Sequence, residues 1–334
     1  MNVRRLVMAW MMVLGGLLPI FGAATASAAT GYEYYVTGNS GDVARSTTAG
    51  LMLMGGSTDV DAAFQWMINK SGGGDFVVIR ASGTDAYNPY IYGLGTLDSV
   101  ETIIIKTRTA ASNSFVVNKI RSAEALFIAG GDQADYVDFW KGTPVEDAIH
   151  YVASRNAPIG GTSAGLAIMG EFLFAAQNGT VYSSEALSDP YNRYMSLDRD
   201  FLTLPNMDNV ITDSHFAARD RMGRLVGFLA RIVQDGWSPE ARGIGIDERT
   251  ALVVEPSGAA TRLGSGAVYF LRTPGRPEVC VSRTALTYRN VAVYRVSGAA
   301  TFNLATWSGS GGTAYTLSAE AGVLTSTQQG GAIY

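Results

Sequence analysis

The sequence contains a single cysteine, Cys280, and only two histidines, His150 and His215, among its 334 residues. One cysteine cannot form an internal disulfide bond, and these histidines have none of the Cys/His spacings that are typical of zinc sites. The sequence therefore predicts neither a disulfide framework nor a structural metal.

Charged residues are also scarce. They make up 16% of the chain, and the 29 acidic residues outnumber the 25 basic ones. A negatively charged chain is a poor partner for nucleic acid, because phosphate binding needs clustered positive charge.

The 47% hydrophobic content and the 39 glycines exclude disordered, collagen-like and coiled-coil chains, and they fit a compact globular protein.

The first 28 residues have the pattern of a secretory signal peptide. Arg4 and Arg5 precede an apolar run at 6–21, and the small residues at 26–28 form a cleavage site. An uncleaved anchor is the alternative, but this run is shorter than the roughly 20 residues of a spanning helix. We expect an exported chain, periplasmic or extracellular in a bacterium, without a membrane attachment after cleavage. Cleavage would leave 23 basic and 29 acidic residues, a net charge of −6.

Apolar runs without polar alternation indicate strands that are buried on both faces. Such runs lie at 76–79, 102–105 and 125–129, and helical patterns such as 59–69 alternate with them. This alternation predicts an α/β domain over residues 29–256 with a parallel sheet covered on both sides. Beyond about residue 257, short β-rich runs separated by Gly/Ser turns predict an antiparallel extension over 257–334.

Residues 161–165 read Gly-Thr-Ser-Ala-Gly and fit the pattern G-x-S-x-G. In this pattern a sharp strand-to-helix turn projects the serine hydroxyl above the sheet. Ser163 is thus a candidate nucleophile, and the N–H of Ala164 is a candidate donor to an oxyanion. The alternative is a glycine turn that Ser163 merely caps.

A serine nucleophile needs a base, and histidine has a suitable pKa near neutral pH. His215 follows the strand-like run 209–213, whereas His150 lies on the solvent side of a predicted helix. We therefore predict His215 as the base, with a core or capping histidine as the alternative. Since no histidine follows residue 215, the order Ser, acid, His of ordinary α/β-hydrolases is disfavoured.

Four ordered motifs resemble the cyanophycinase-like serine peptidases of family S51, whose relatives include the aspartyl dipeptidases. The motifs are Gly-Gly-Asp-Gln at 130–133, the serine motif at 161–165, Asp-Ser-His-Phe at 213–216 and Gly-Ile-Gly-Ile-Asp-Glu at 243–248. The resemblance covers about 63–254. It implies a class I glutamine-amidotransferase-like (flavodoxin-like) fold with three layers around a mostly parallel sheet, and a homodimer is expected on this resemblance alone.

For function, the resemblance implies Ser163 as nucleophile, His215 as base, and cleavage of a peptide link formed by the β-carboxyl of aspartate. Cyanophycin, an aspartate backbone with arginine on each side-chain carboxyl, is the best-known substrate of the family. Ser214 stands where family members often have glutamine, and residues 189–193 suggest an inserted loop. The identity of the substrate therefore stays open.

Substrate contacts and the second oxyanion donor are expected near the first and third motifs. The resemblance assigns substrate contacts to Gln133 and to three arginines, while the loop before Gln133 can present the N–H of Gly131 to an oxyanion. A β-turn is the alternative for this loop, and decoration of a helix surface is the alternative for the arginines. The arginines are Arg219, Arg221 and Arg224, of which the first two are better placed for a substrate carboxylate.

The acid that completes the triad is ambiguous in the sequence. Glu185 and Glu248 each correspond roughly to a position proposed for this role in the family. We expect Glu185 to orient the imidazole of His215 and Glu248 to act as a supporting acid. Asp213 is predicted to bind a cationic group of the substrate.

The sequence thus predicts an exported serine exopeptidase that acts on aspartyl peptides of the cyanophycin type and requires no cofactor. A general aspartyl or isoaspartyl dipeptidase is the alternative with the same chemistry. A secreted binding protein with an inactive serine site is the alternative from another class. A cysteine-based amidotransferase is excluded, because Cys280 lies in the predicted β extension.

Overall fold

The computed structural model describes residues 31–334, so the predicted signal sequence at 1–28 lies outside the described part of the chain. The strands are β1 Tyr32–Gly38, β2 Leu51–Met54, β3 Asp75–Arg80, β4 Ser99–Ile105, β5 Ala125–Ile128, β6 Ile159–Thr162, β7 Phe172–Phe174, β8 Leu197–Arg199, β9 Val210–Asp213, β10 Arg242–Ile246, β11 Thr250–Val254, β12 Ala259–Gly264, β13 Val268–Arg272, β14 Tyr288–Val296, β15 Thr301–Asn303, β16 Ser308–Ser310, β17 Thr313–Glu320 and β18 Val323–Ser326.

The helices are α1 Asp61–Lys70, α2 Tyr87–Tyr92, α3 Arg108–Ala111, α4 Ser114–Ser122, α5 Gln133–Trp140, α6 Pro144–Ser154, α7 Ala164–Ala167, α8 Ser183–Ser188 and α9 Met222–Gln234, with a 3-10 turn at Gln329–Gly331. None of the helices in the described residues combines the length and the hydrophobicity that a membrane span requires.

The strands form two sheets in a mixed α/β fold. In the first sheet the order is β1-β4-β3-β5-β6-β2-β11-β12-β15-β16, and the consecutive neighbours from β4 to β2 are parallel. In the second sheet the order is β18-β17-β14-β13-β10-β9-β7-β8, and β9 is parallel to both of its neighbours. The parallel block of the first sheet is the part that the alternating sequence pattern predicts.

The prediction of one mostly parallel, flavodoxin-like sheet is wrong for the molecule as a whole, because antiparallel pairings outnumber parallel ones. The cause is the strand-rich part from β11 onward, where short connections join antiparallel neighbours. Residues 257–334 do contain the predicted antiparallel strands. These strands extend both sheets, however, so the predicted boundary at residue 257 crosses both of them.

The continuous apolar runs are explained by burial on both faces of the first sheet. Along β5, Leu126 and Ile128 belong to the core cluster that includes α4 and α6, whereas Phe127 packs edge-on against Phe64 of α1. Alternate side chains of a strand point to opposite faces, so no position in β5 is left for a polar residue. Burial of each such side chain contributes roughly 1.5–3 kcal/mol to folding.

Candidate active site

The carboxyl ends of three adjacent parallel strands meet at one edge of the first sheet. β5, β6 and β2 are neighbours in that order, and they lead into Gly130, Ser163 and Gly56 respectively. Ligands bind at this edge in many α/β folds, because loops from several strands converge there. The sheet thus places Ser163 between two glycine loops.

The second sheet contributes an imidazole and a carboxylate in the same way. His215 lies two residues after β9, Glu248 lies two residues after β10, and these strands pair in parallel. Gly55 links the two sheets, since its carbonyl accepts the N–H of His215 (N···O 2.8 Å) and its N–H donates to Thr250 (N···O 2.9 Å). Parallel pairing and this link bring the two side chains to the edge where Ser163 lies.

Ser163 adopts a backbone conformation that is rare for a residue with a side chain, with φ 53° and ψ −114°. Such conformations cost of order 1–3 kcal/mol and persist where the surroundings hold them. The following glycine allows the tight turn, because a Cβ on Gly165 would lie 2.0 Å from the carbonyl oxygen of Ile128. The strand, the turn and the short helix α7 confirm the structural context that the G-x-S-x-G pattern predicts.

Ser163, His215 and Glu248 form a continuous hydrogen-bonded chain. The Oγ of Ser163 lies 2.8 Å from Nε2 of His215, and Nδ1 of the same ring lies 2.7 Å from Oε1 of Glu248. A carboxylate can only accept here, so Nδ1 carries the hydrogen and Nε2 is left to accept the proton of the serine hydroxyl. This is the arrangement of a serine nucleophile, a base and an orienting acid.

Glu185 is not the acid that contacts the imidazole, contrary to the prediction from the sequence. Its carboxylate accepts the backbone N–H of Tyr182 (N···O 2.9 Å) at the start of α8, which is a helix-capping contact. Glu248, predicted only as a supporting acid, occupies the position at Nδ1. His150 lies elsewhere, where its Nε2 accepts the N–H of Thr203.

The surroundings of His215 favour its neutral form. Burial is the main cause that lowers the pKa of His215 below its ordinary value of 6.5, and the positive charges of Arg219 and Arg221 lower this pKa further. The hydrogen bond to Glu248 opposes this shift, and the same bond lowers the pKa of the Glu248 carboxyl. At neutral pH the site therefore holds a neutral imidazole and an ionised carboxylate, as a general base requires.

We expect kcat/KM to fall as the pH drops through a midpoint below 6.5, because only the neutral His215 can accept a proton. Arg219→Gln removes a positive charge that disfavours the imidazolium, so it should move this midpoint to higher pH. Arg276→Gln, at an exposed position outside the site, is the control and should leave the midpoint unchanged. A midpoint above pH 6.5 would contradict the lowered pKa of His215, and a midpoint that falls in Arg219→Gln would contradict the effect assigned to the charge of Arg219.

The two predicted oxyanion donors lie in the segments that flank Ser163. Ala164 is the first residue of α7, and an N–H in the first turn of a helix lacks an intrahelical acceptor. Because α7 has only four residues, the N–H itself matters more than any helix dipole. In the other loop, Gly130 lies close to the serine, since a Cβ on Gly130 would lie 3.4 Å from Cβ of Ser163. Gly131, the second predicted donor, is the next residue of this loop.

A cavity of about 330 Å³ is lined by Arg219 and Arg221 of the segment that follows His215, and we call it the arginine pocket. It is lined by α5, β7, the loop from β7 to α8, the start of α8, the segment after β9 and the start of α9. Its charged and amide side chains are Asp132, Gln133, Arg219, Arg221 and Arg224. Neither Ser163 nor His215 lines this cavity, and the link to the triad is Arg219, whose backbone N–H donates to the carbonyl of His215 (N···O 3.0 Å). The structure therefore brings four of the five predicted substrate-binding side chains, Gln133 and the three arginines, to one cavity, whereas Asp213 does not line it.

Asp213 does not present a free carboxylate to this pocket, which contradicts its predicted role in binding a cationic substrate group. Its carboxylate is held by the guanidinium of Arg224, with Nε to Oδ2 at 2.8 Å and Nη2 to Oδ1 at 2.5 Å, and both side chains are buried. Arg221 lies at 3.4 Å from the same carboxylate, and burial lowers the pKa of Arg221 to about 10. Arg224 is therefore neutralised within the protein, while Arg219 is exposed.

Sequence reasoning missed two residues that shape the site. Gly56 has φ +94°, and a Cβ there would lie 2.6 Å from Nε2 of His215, so any side chain would displace the imidazole. The apolar run of β2 followed by two glycines is the signal that marks this loop. Tyr334 has no local signal, because it reaches the His215 segment only through the fold: its ring packs edge-on against Phe216, and its hydroxyl accepts the N–H of Met222.

Tyr334→Phe should lower the free energy of unfolding by about 1 kcal/mol, because it leaves the first N–H of α9 and the carboxylate of Asp220 without this hydrogen-bond partner. Chemical denaturation monitored by tryptophan fluorescence measures the change. Tyr92→Phe, at an exposed ring, is the matched control and should change stability by less than about 0.5 kcal/mol. Equal effects of the two substitutions would show that the contacts of Tyr334 do not stabilise this segment.

Comparisons with known proteins identify the family of the chain. The model of peptidase family S51 matches residues 51–261, which include the whole triad. The chain is 32% identical over 172 residues to a cyanophycinase from a Nostoc species, covering 51% of this chain and 52% of that protein. It is 29% identical over 170 residues to a cyanophycinase from Synechococcus elongatus, covering 51% and 48%.

The chain thus spans about half the length of the curated relatives it matches. Among solved structures, a peptidase from an acI-B1 actinobacterium aligns with a TM-score of 0.50 at 16% identity, over 71% of this chain and 98% of the other. At 16% identity, the similarity to this peptidase structure shows a similar fold only.

Proposed function

Because this chain belongs to peptidase family S51, a family of serine-type peptidases, we propose that it hydrolyses aspartyl peptide bonds through an acyl-enzyme on Ser163. The observation that carries the proposal is the hydrogen-bonded chain from Ser163 through His215 to Glu248. The neutral imidazole and the strained serine turn are the features expected of an activated nucleophile.

The proposed reaction has two halves. In the first, Oγ of Ser163 attacks the scissile carbonyl carbon while Nε2 of His215 takes the hydroxyl proton, and the imidazolium is stabilised by Glu248. The N–H groups of Ala164 and Gly131 stabilise the negative charge that develops on the carbonyl oxygen. His215 then gives its proton to the leaving amine as the C–N bond breaks. In the second half, a water molecule deprotonated by His215 attacks the ester and releases Ser163.

The substrate that we propose carries an aspartyl carboxylate. Arg224 is already paired with Asp213, so Arg219 and Arg221 supply the positive charge of the arginine pocket. A planar guanidinium binds a carboxylate through two parallel hydrogen bonds, and a free carboxylate favours cleavage near a chain end. Since relatives are named cyanophycinase, we propose β-aspartyl-arginine material of the cyanophycin type as the substrate.

We also propose that the protein acts outside the cytoplasm. The proposal is supported by the basic and apolar leader. The lack of a cysteine pair makes a bacterial type of export easier to reconcile with the sequence than a eukaryotic one. A negative mature chain would attract arginine-rich material, although at physiological salt this attraction is screened beyond about 8 Å.

The proposal is tested by incubating the purified protein with cyanophycin, with an isoaspartyl dipeptide and with α-aspartyl dipeptides, and by reading the products by mass spectrometry. Release of β-aspartyl-arginine, which requires cleavage of the aspartate backbone, or of free arginine, which requires cleavage of the β-carboxyl link, supports the proposed substrate. Cleavage of dipeptides without cleavage of the polymer supports a general aspartyl or isoaspartyl dipeptidase instead. Absence of any product that depends on Ser163 would contradict the peptidase proposal.

A further inference from the structure

A second cavity, of about 400 Å³, lies beside the triad and takes no part in the proposed mechanism. It is formed by the segment after β2, the end of β3 and the start of α2. We call it the tyrosine–aspartate cleft, after its lining residues Ser57, Asp59, Asp61, Arg80, Tyr87 and Tyr90. It shares no lining residue with the arginine pocket, so the two cavities are separate parts of the surface around the site.

The cleft begins one residue away from the reacting groups. A Cβ on Gly56 would lie 2.6 Å from Nε2 of His215 and 3.1 Å from Cβ of Ser163, which places this backbone directly against the triad. Ser57, the next residue and about 3.8 Å further along the chain, lines the cleft. A substrate whose carbonyl is held at Ser163 can therefore extend a long side chain into it.

In the part of the chain that the structure describes, the carboxylates of the cleft are hydrogen-bonded to tyrosine hydroxyls and form no ion pair with Arg80, the cation that lines the same cleft. The hydroxyl of Tyr90 donates to Oδ1 of Asp61 (2.6 Å), and Tyr87 hydrogen-bonds to Asp59. Between residues 31 and 334, no lysine or arginine forms an ion pair with either carboxylate. Burial raises the pKa of Asp59, as expected for an anion without a compensating cation. This contrasts with Asp213, which Arg224 neutralises.

The aromatic wall of the cleft is suited to a guanidinium group. Arg80 already lies over the ring of Tyr87, with its guanidinium carbon 5.9 Å from the ring centroid. The guanidinium of Arg80 donates to the backbone carbonyls of Ser82 and Thr84, so it is held at the wall and leaves the carboxylates unpaired. Tyrosine faces and carboxylates together bind an arginine side chain by stacking and by charge.

We propose that the tyrosine–aspartate cleft is a second substrate subsite, which binds a guanidinium side chain while the arginine pocket binds an aspartyl carboxylate. This inference rests on the proposed function and adds the residues that select the cationic group. Two subsites of opposite charge beside one nucleophile select a substrate that carries both charges, and they reject an aspartyl peptide that lacks the guanidinium.

The test compares two matched aspartyl peptides, one with arginine and one with citrulline, its neutral isostere. The wild-type protein should prefer the arginine peptide. Asp59→Asn with Asp61→Asn should raise KM for that peptide by about 10- to 100-fold with little change in kcat, and should leave the citrulline peptide unaffected. Asp147→Asn is the matched control: it also removes an acid from the first turn of a helix, but it lines neither cavity.

An arginine preference that persists in the double variant would overturn the proposal. Isothermal titration calorimetry measures the binding of the two peptides to the Ser163→Ala variant, so it needs no cleavage. It therefore distinguishes a cleft that does not bind arginine from a protein that is not a peptidase. Even if neither peptide is cleaved, the arginine peptide should bind about tenfold more tightly than the citrulline peptide, and the double variant should lose this difference. If the double variant does not fold, Asp61→Asn alone should reduce the difference, and an unchanged difference would overturn the proposal.

Discussion

Ser163→Ala should reduce the turnover of aspartyl peptides by about 10⁴- to 10⁶-fold, the loss expected when the nucleophile of a hydrogen-bonded triad is removed. The fold should be unaffected, because the hydroxyl of Ser163 bonds to the imidazole of His215 rather than to a structural group. Steady-state hydrolysis measures the rate, and far-UV circular dichroism checks the fold. Ser188→Ala, at an exposed serine of α8, is the control and should retain full activity.

Two outcomes for Ser163→Ala would have different meanings. A folded variant with wild-type turnover would show that another group performs the attack, which contradicts the proposed acyl-enzyme. A variant that does not fold would say nothing about chemistry. In that case Ser163→Gly, which removes the hydroxyl and tolerates the positive φ of this turn, should fold and show the same loss of kcat.

Glu248→Gln should lower kcat by about 10²- to 10⁴-fold, because an amide neither fixes the tautomer of His215 nor stabilises the imidazolium. Glu185→Gln is the matched control, since glutamine can also accept the N–H of Tyr182, and it should change kcat by about twofold or less. Both rates are measured with the same aspartyl peptide at saturating concentration.

The pair of glutamate variants also decides between the two acids that the sequence leaves open. If Glu185→Gln caused the large loss and Glu248→Gln had little effect, the acid observed at Nδ1 of His215 would not be the one that matters for catalysis. A rise in KM with unchanged kcat for Glu248→Gln would indicate that Glu248 contributes to substrate binding rather than to the orientation of His215.

The nucleophile and its base could be recognised from the sequence because their signals are local. The glycines at 161 and 165 mark a turn that only small residues allow, and the apolar run before His215 marks a strand that ends at the edge of a sheet. Because the chain has only two histidines, and only His215 follows a strand-like run, few candidates for the base had to be compared. The family resemblance implied substrate contacts for Gln133 and the three arginines, and the structure places those four side chains in one cavity.

The acid, the full sheet topology and the partner of Asp213 could not be predicted because they depend on contacts between distant segments. Glu248 reaches His215 only because β9 and β10 pair in parallel, which no periodicity in either strand reveals. The alternation of helices and strands indicated the parallel block correctly, but it carried no information about how the strands after residue 257 would join both sheets. Arg224 meets Asp213 only after α9 packs beside β9.

Covalent labelling with a serine-directed phosphonate, followed by peptide mass spectrometry, tests most directly whether Ser163, His215 and Glu248 form a working nucleophilic centre. The account predicts a single adduct on Ser163, formed rapidly in the wild-type protein, much more slowly in His215→Ala and Glu248→Gln, and not at all in Ser163→Ala. An adduct on another residue, or no adduct on a folded protein at a pH where His215 is neutral, would contradict it.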